Sequence, residues 1–170
     1  LGTSGAGLYK SLDSGYTWNP AGLSGSKIVS VAVDADDPDF IYAATEMEVW
    51  VSNNAGANWF DTGLTGVTIY AIALDQAGNP YAGTNNGIYW IASSGWEHLA
   101  LTGDAVTAVS AHPTEPGWIY AGAVDGLRSS RNYGQTWIAA PFQLAGVPVA
   151  GISFDPSDPA NAKFDVTIDV

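Results

Sequence analysis

Asp34, Asp36, Asp37 and Asp39 crowd one short stretch, and such crowding is one way to collect oxygen ligands for calcium. An EF-hand loop, however, needs a glycine at its sixth position and a distant glutamate. Here the sixth position is Asp39 and Pro38 interrupts the run, so the stretch reads as a solvated turn and no metal site is assigned. Glycoside hydrolysis needs two carboxylates flanking the bond. Of the seventeen acids, Glu46, Glu48, Glu97 and Asp125 are the least explained by turn chemistry. Nothing in their spacing pairs any two, so no catalytic residue is named. His98 and His112 stand alone in different parts of the chain, and two histidines without a third close ligand do not make a zinc site. Trp50, Trp90 and Trp118 are the candidate binding residues, since exposed aromatics stack on sugar rings or anchor protein interfaces. Packing between neighbouring repeats is their competing role. No cofactor is implied.

The elements that must position these side chains are punctuated by a repeated octad. Ser11-Leu12-Asp13-Ser14-Gly15-Tyr16-Thr17-Trp18 returns as Ser52 to Trp59 and as Ser130 to Trp137. Its fixed positions are Ser11, Asp13, Gly15 and Trp18, then Ser52, Asn54, Gly56 and Trp59, then Ser130, Asn132, Gly134 and Trp137. A degraded copy, Ser93-Ser94-Gly95-Trp96, is two residues short and lacks the acid. Asp, Asn and Ser hold tight turns by bonding nearby backbone. Glycine takes a positive φ without steric cost. The tryptophan buries a large ring and seeks a partner for its indole N–H. The octad is thus a hairpin clip.

Between the clips the strands recur in order. Ile28–Val33, Phe40–Thr45 and Val49–Ser52 precede the second clip, and a fourth strand lies around Trp59. Ile69–Leu74, Tyr81–Thr84 and Ile88–Ile91 repeat the order, as do Ala105–Ala111, Trp118–Ala123 and Leu127–Ser130. Tyr42, Tyr81 and Tyr120 lie 39 residues apart, a register independent of the clips. Four short strands in about 40 residues is the period of a propeller blade. No segment shows a helical period with caps, so helix content is expected to be close to nil.

The octad resembles the Asp-box, or bacterial neuraminidase repeat, which marks the outer hairpin of each blade in one class of β-propellers, among them sialidase, xyloglucanase and sortilin-like repeats. The resemblance implies an all-β propeller of four-stranded antiparallel blades, with the box a structural element away from the ligand face. Sialidases of this family hold the substrate carboxylate with three arginines. This chain has only Arg128 and Arg131, both read as lying in or beside the last clip, and Arg131 as a solvated side chain. Asp155-Pro156-Ser157-Asp158-Pro159 looks like the turn of xyloglucanase propellers.

Composition narrows the function classes. Five basic residues face seventeen acidic ones, net −12. Binding to nucleic acid or to an anionic membrane surface requires a cationic face, so neither is expected. The absence of cysteine excludes disulfides and thiolate metal sites. No apolar run approaches the ~18 residues of a membrane span. Few lysines among many Gly, Thr, Asn and aromatics point to an extracellular or cell-surface protein. Leu1 opens the chain without Met or a signal-like segment, which reads as a processed or trimmed piece.

The expected architecture is one propeller domain over 1–170, with repeats near 1–23, 27–64, 67–100, 104–140 and a partial 147–170. It has about four blades, or it is part of a larger propeller. Residues 147–170 could complete the blade begun by residues 1–18, or the open blade edges could pair between chains. The expected function is a non-catalytic binding or structural module recognising protein or glycan. The alternative is a fragment of a xyloglucanase-like hydrolase.

Overall fold

The computed structural model describes residues 1–139, 145–155 and 164–168, with the side chain of Phe164 outside the description. It is all β, with no helix among the described residues. Three four-stranded antiparallel sheets stand between two two-stranded ones. The first pair is β1 (Tyr9–Lys10) and β2 (Asn19–Pro20). The next blade is β3 (Ser30–Val33), β4 (Phe40–Ala44), β5 (Val49–Asn53) and β6 (Phe60–Asp61). The middle blade is β7 (Ile69–Leu74), β8 (Pro80–Thr84), β9 (Gly87–Ala92) and β10 (Gly95–Ala100). The following blade is β11 (Val106–Ala111), β12 (Ile119–Ala123), β13 (Gly126–Ser130) and β14 (Ile138–Ala139). The last pair is β15 (Val149–Phe154) and β16 (Phe164–Ile168).

Each sheet is a meander of neighbours in sequence. The first strands of successive blades, β3, β7, β11 and β15, pack side by side. Polar ties join them: Ile72 N donates to Ser30 Oγ at 3.0 Å, and Thr107 Oγ1 donates to the Val149 carbonyl at 2.6 Å. The expected strands are present within a residue or two. The exceptions are the fourth strands after complete clips, which shrink to two residues each. The turn read at Asp155–Pro159 and the tail positions Lys163, Asp169 and Val170 lie outside the described residues, Asp155 excepted.

The two terminal pairs form separate sheets. Among the described residues β16 does not pair with β1, so closure of 147–170 on 1–18, one of the alternatives read from the sequence, is not seen among them. The chain is an arc of blades.

The core lies between blades. One cluster joins Ala44 and Val49 to Ile69, Ile72 and Ala82 of the next blade. Another joins Tyr81 and Ile88 to Val106, Val109 and Ile119. A third joins Tyr120 and Leu127 to Val149, with Phe154 against it. The tyrosine of each second strand thus faces the blade that follows. Burial, and then the charge of Asp75, push the Tyr81 phenol well above its ordinary range.

Two residues beyond the tyrosine the second strand must be small. A Cβ on Gly83 would stand 2.7 Å from the Val106 carbonyl oxygen, and one on Gly122 2.5 Å from Val149 Cγ1. A Cβ on Gly2 would meet Ile28 Cγ2 at 2.5 Å. Glycine therefore lets the next first strand approach the backbone itself.

Gly83→Ala is expected to lower stability by about 1–3 kcal/mol, the usual cost of overpacking. Gly151→Ala, whose Cβ would meet Thr167 Oγ1 at 3.3 Å, should cost less. Denaturant midpoints of the two variants measure the difference, and equal midpoints would refute the close-approach account.

Candidate functional site

The clips define one end of the molecule. In each complete copy the serine hydroxyl donates to the Asp or Asn Oδ1: Ser11 to Asp13 at 2.8 Å, Ser52 to Asn54 at 3.0 Å and Ser130 to Asn132 at 2.9 Å. The serine Oγ in turn accepts the glycine N–H, from Gly15, Gly56 and Gly134 at 2.7, 2.8 and 2.9 Å. Oδ1 accepts the N–H four residues on, from Thr17, Asn58 and Thr136. Asparagine serves as well as aspartate because only a carbonyl-type oxygen is needed. The residue before each glycine, Ser14, Ala55 or Tyr133, is left-handed at φ of 58°, 56° and 57°, and the glycines follow at 90°, 88° and 81°. That path is strained for a side chain, and the serine and Oδ1 bonds offset the strain.

The tryptophans tie each clip down. Trp59 Nε1 donates to the Ala21 carbonyl of the preceding blade at 2.8 Å, and to Gly56 O at 3.2 Å. Trp96, from the degraded copy, donates instead to Thr62 Oγ1 across the blades at 2.9 Å. Trp18 bonds only its own clip, through Gly15 O, and is 46% exposed.

The turns between first and second strands share this end. Ala55 N bonds the Asp39 carbonyl and Tyr133 N bonds the Gly117 carbonyl. Asp34 Oδ1 accepts the N–H groups of Asp36 and Asp37. Asp75 Oδ1 accepts those of Ala77 and Asn79. His112 does the same with Nδ1, taking the N–H groups of Thr114 and Glu115 at 3.2 and 3.0 Å. It is buried, edge-on to Trp118 and Phe154. Among the described residues no group of three metal-ligating side chains gathers here or elsewhere.

The opposite end carries the turns between second and third strands and the links between blades. Met47 is 73% exposed there. Lys27 pairs with Glu46 at 2.5 Å, and Trp50 Nε1 donates to Glu48 Oε2 at 3.3 Å. In the next blade His98 meets Tyr89 edge-on and its Nε2 lies 3.0 Å from the Asn86 carbonyl. Beyond it Arg128 bridges Asp125 and Asp104.

The candidate side chains are dispersed. Trp50 lies on β5, Trp90 on β9 and Trp118 just before β12, and no described ring contact joins them. Trp90 packs between blades. Trp118 sits under the Arg131 guanidinium, 4.3 Å from ring centroid to Cζ. Arg131 is exposed, as read, and in addition lies over an indole. Arg128 departs from expectation: its head reaches the end opposite the clips. The two arginines serve opposite ends. Arg128 was legible only in part, because its strand position was plain but the approach of Asp104, just before β11, was not. The four unexplained acids are all exposed, and Glu97 bonds Ser94 Oγ at 2.5 Å.

No family model matches the sequence, and no curated protein matches it. Solved structures do. The GH74 xyloglucanase from Xanthomonas campestris superposes with a TM-score of 0.76 at 18% identity, over 94% of this chain and 32% of that one. An extracellular domain from Bacteroides thetaiotaomicron gives 0.69 at 15%, over 89% and 21%. YCF48 bound to D1 peptide gives 0.61 at 12%, over 78% and 46%. The chain spans about a third of the xyloglucanase. At these identities the likeness shows the β-propeller fold.

Trp59→Ala should destabilise the protein by about 3 kcal/mol, the low end for a large aromatic deletion because the ring is only half-buried. Trp18→Ala should cost much less, and chemical denaturation compares them. Asp13 supplies a second test. The Thr17 hydroxyl, then the Thr17 N–H, then the Ser11 hydroxyl hold its carboxyl below the ordinary 3.8. Because the folded value is depressed, this contribution is complete above the unfolded pKa and is lost as pH falls through the folded one. Protection of the Gly15 and Thr17 amides, measured against their intrinsic exchange rates at each pH, should therefore fall in acid, while that of Gly56 and Gly134, clipped by asparagines, is kept. Uniform behaviour of the three clips would refute this.

Proposed function

We propose that this chain is a non-catalytic binding module of the Asp-box propeller class, taking a protein or glycan ligand on the end opposite the clips. One observation carries the reading. The end opposite the clips carries exposed Met47 together with Trp50, Tyr89 and His98, each ring with a polar neighbour: Glu48 at Trp50, and Asn86 at Tyr89 and His98. Such a mixture of aromatic bodies and polar tips suits sugars and peptide surfaces alike.

Catalysis is the weaker reading. A glycosidase acid must keep its proton near neutral pH, which needs burial or a like charge beside it. Glu46, Glu48, Glu97 and Asp125 are exposed, and each is engaged by a base, an indole or a hydroxyl. The likeness to the xyloglucanase over 94% of this chain still favours a second reading, that the arc belongs to a hydrolase of that kind. A glycan ligand would then be shared by both readings. The neighbour bound to D1 peptide supports a protein ligand, and the extracellular neighbour supports an extracellular or surface setting. No nucleic acid and no cofactor enter the proposal.

Binding to immobilised xyloglucan and other β-glucans, with reducing-sugar release assayed in parallel, tests the proposal. The expected result is retention without hydrolysis, weakened about tenfold by Trp50→Ala. Release of reducing sugar would move the assignment to the hydrolase. Retention unaffected by changes at Trp50, Tyr89 and Met47 would remove the proposed face.

A further inference from the structure

We propose that the hollow over the 75–79 turn of the middle blade binds an alkylammonium group, such as a lysine side chain carries. It lies at the clip end, apart from the ligand face proposed above, and does not depend on it.

The hollow has a volume of about 300 Å³ and is lined by Asp36, Asp75, Ala77, Pro116, Gly117 and Tyr133, among others. It is open because the middle blade lacks a complete clip. In the blades on either side the clip is bonded to the turn between first and second strands, Ala55 N to the Asp39 carbonyl and Tyr133 N to the Gly117 carbonyl. The middle blade has only the degraded copy at 93–96, and no backbone bond ties that hairpin to the 75–79 turn. The opening therefore comes from a shortened hairpin inside the chain, with a four-stranded blade on each side.

Two buried groups border this space without the partner each calls for. Asp75 is the one buried acid among the described residues, and no base pairs with it. Its Oδ1 accepts from Ala77 N, Asn79 N and Asn79 Nδ2 at 2.9, 2.9 and 3.1 Å, whereas Oδ2 accepts only from Asn79 Nδ2, at 3.0 Å. The Tyr81 hydroxyl is fully buried and makes no hydrogen bond. It feels the charges of Asp75 and Tyr133, both in the wall of the hollow, but falls short of bonding the carboxylate. A buried hydroxyl left unpaired and a buried charge without a counter-ion are both costly. An ammonium seated there supplies a counter-ion to Oδ2 and a hydrogen to the Tyr81 oxygen.

Tyr133 gives an independent sign. It is left-handed, at φ 57°, where the sister clips carry the smaller Ser14 and Ala55. A bulky residue is strained in that region, and such strain gathers at functional positions. Its ring lies against Gly117, on which a Cβ would meet it at 2.9 Å, and it stays 47% exposed. A cation beside it gains from the aromatic face.

The chemistry selects an ammonium. Among the described residues the lining holds two carboxylates and no base, on a chain of net charge −12. No three ligating side chains gather there to serve a metal ion. A guanidinium pairs best with both oxygens of one carboxylate, and Oδ1 of Asp75 is already occupied. A compact charge with three donors suits what remains, and Ala77 and Pro116 lie alongside for its methylene stem.

The test is an amide-shift titration of the whole chain with a blocked glycine–lysine–glycine peptide. Saturable shifts are expected at Asp36, Ala77 and Tyr133, and the same peptide with its lysine acetylated should leave them unmoved. Affinity should fall about tenfold in Asp36→Asn, whose exposed side chain makes no described hydrogen bond, and about threefold in Tyr81→Phe. Because the Tyr81 hydroxyl is unpaired, Tyr81→Phe should keep or raise the denaturation midpoint, which separates lost binding from unfolding. Butylammonium distinguishes the source: binding as tight as the peptide's assigns the hollow to a free amine, and binding about tenfold weaker assigns it to a lysine of a partner polypeptide. Three results would each overturn the proposal: no saturable shift, equal binding of the acetylated peptide, or full binding to both variants. Calcium that displaces the peptide at lower concentration than the peptide's own would assign the acids to a metal instead.

Discussion

The stacking of blades depends on the approach of one blade's first strand to a glycine of the blade before it. Val106 reaches Gly83 and Val149 reaches Gly122 at distances where a methyl group would collide. This contact sets how blades stack, and stacking is what makes a core. A lone four-stranded meander buries little by itself. Here every apolar cluster spans two blades, so each blade is stabilised by its neighbours in the manner of a repeat protein. Ile69 and Ile72 of the middle blade are accordingly buried between its neighbours.

The clips answer a different constraint. A hairpin at the outer end of a blade has few neighbours to satisfy its backbone. The octad does so with its own side chains: one serine oxygen and one carbonyl-type oxygen hold a left-handed pair of residues in place. The polar groups of that end are consequently spoken for. The turns beside the clips behave alike, and the substitution of His112 for the aspartate of its sister turns keeps the accepting atom while changing everything else about the side chain. Its ring then packs on Trp118 and Phe154, which an aspartate could not do. The turns at the end opposite the clips are held in the same manner, Thr45 Oγ1 accepting from Met47 and Glu48 and Thr84 Oγ1 from Asn86.

Much of this was legible in residue order, and the reason is range. The clip is made within eight residues, so its serine, Asp or Asn, glycine and tryptophan announce it. Strand order is a matter of alternation and turn residues, also local, and the tyrosine spacing fixes the register of blades. The all-β propeller class, the near absence of helix and the turn reading of Asp34–Asp39 rest on such short-range rules.

What tertiary structure decided is where individual side chains reach. Arg131, exposed as read, also lies over Trp118. Arg128 turns from the clip to Asp125 and Asp104. Trp90 and Trp118 are taken up by packing, while Trp50 remains beside Glu48 at the open end. Whether residues 147–170 would meet residues 1–18 was also beyond sequence pattern alone. Complementarity across a closing blade depends on which side chain faces which neighbour, and Asp165 and Thr167 stand where the other blades carry tyrosine and glycine. Local rules specify a blade; only the packing of one blade on the next specifies which surfaces remain uncovered.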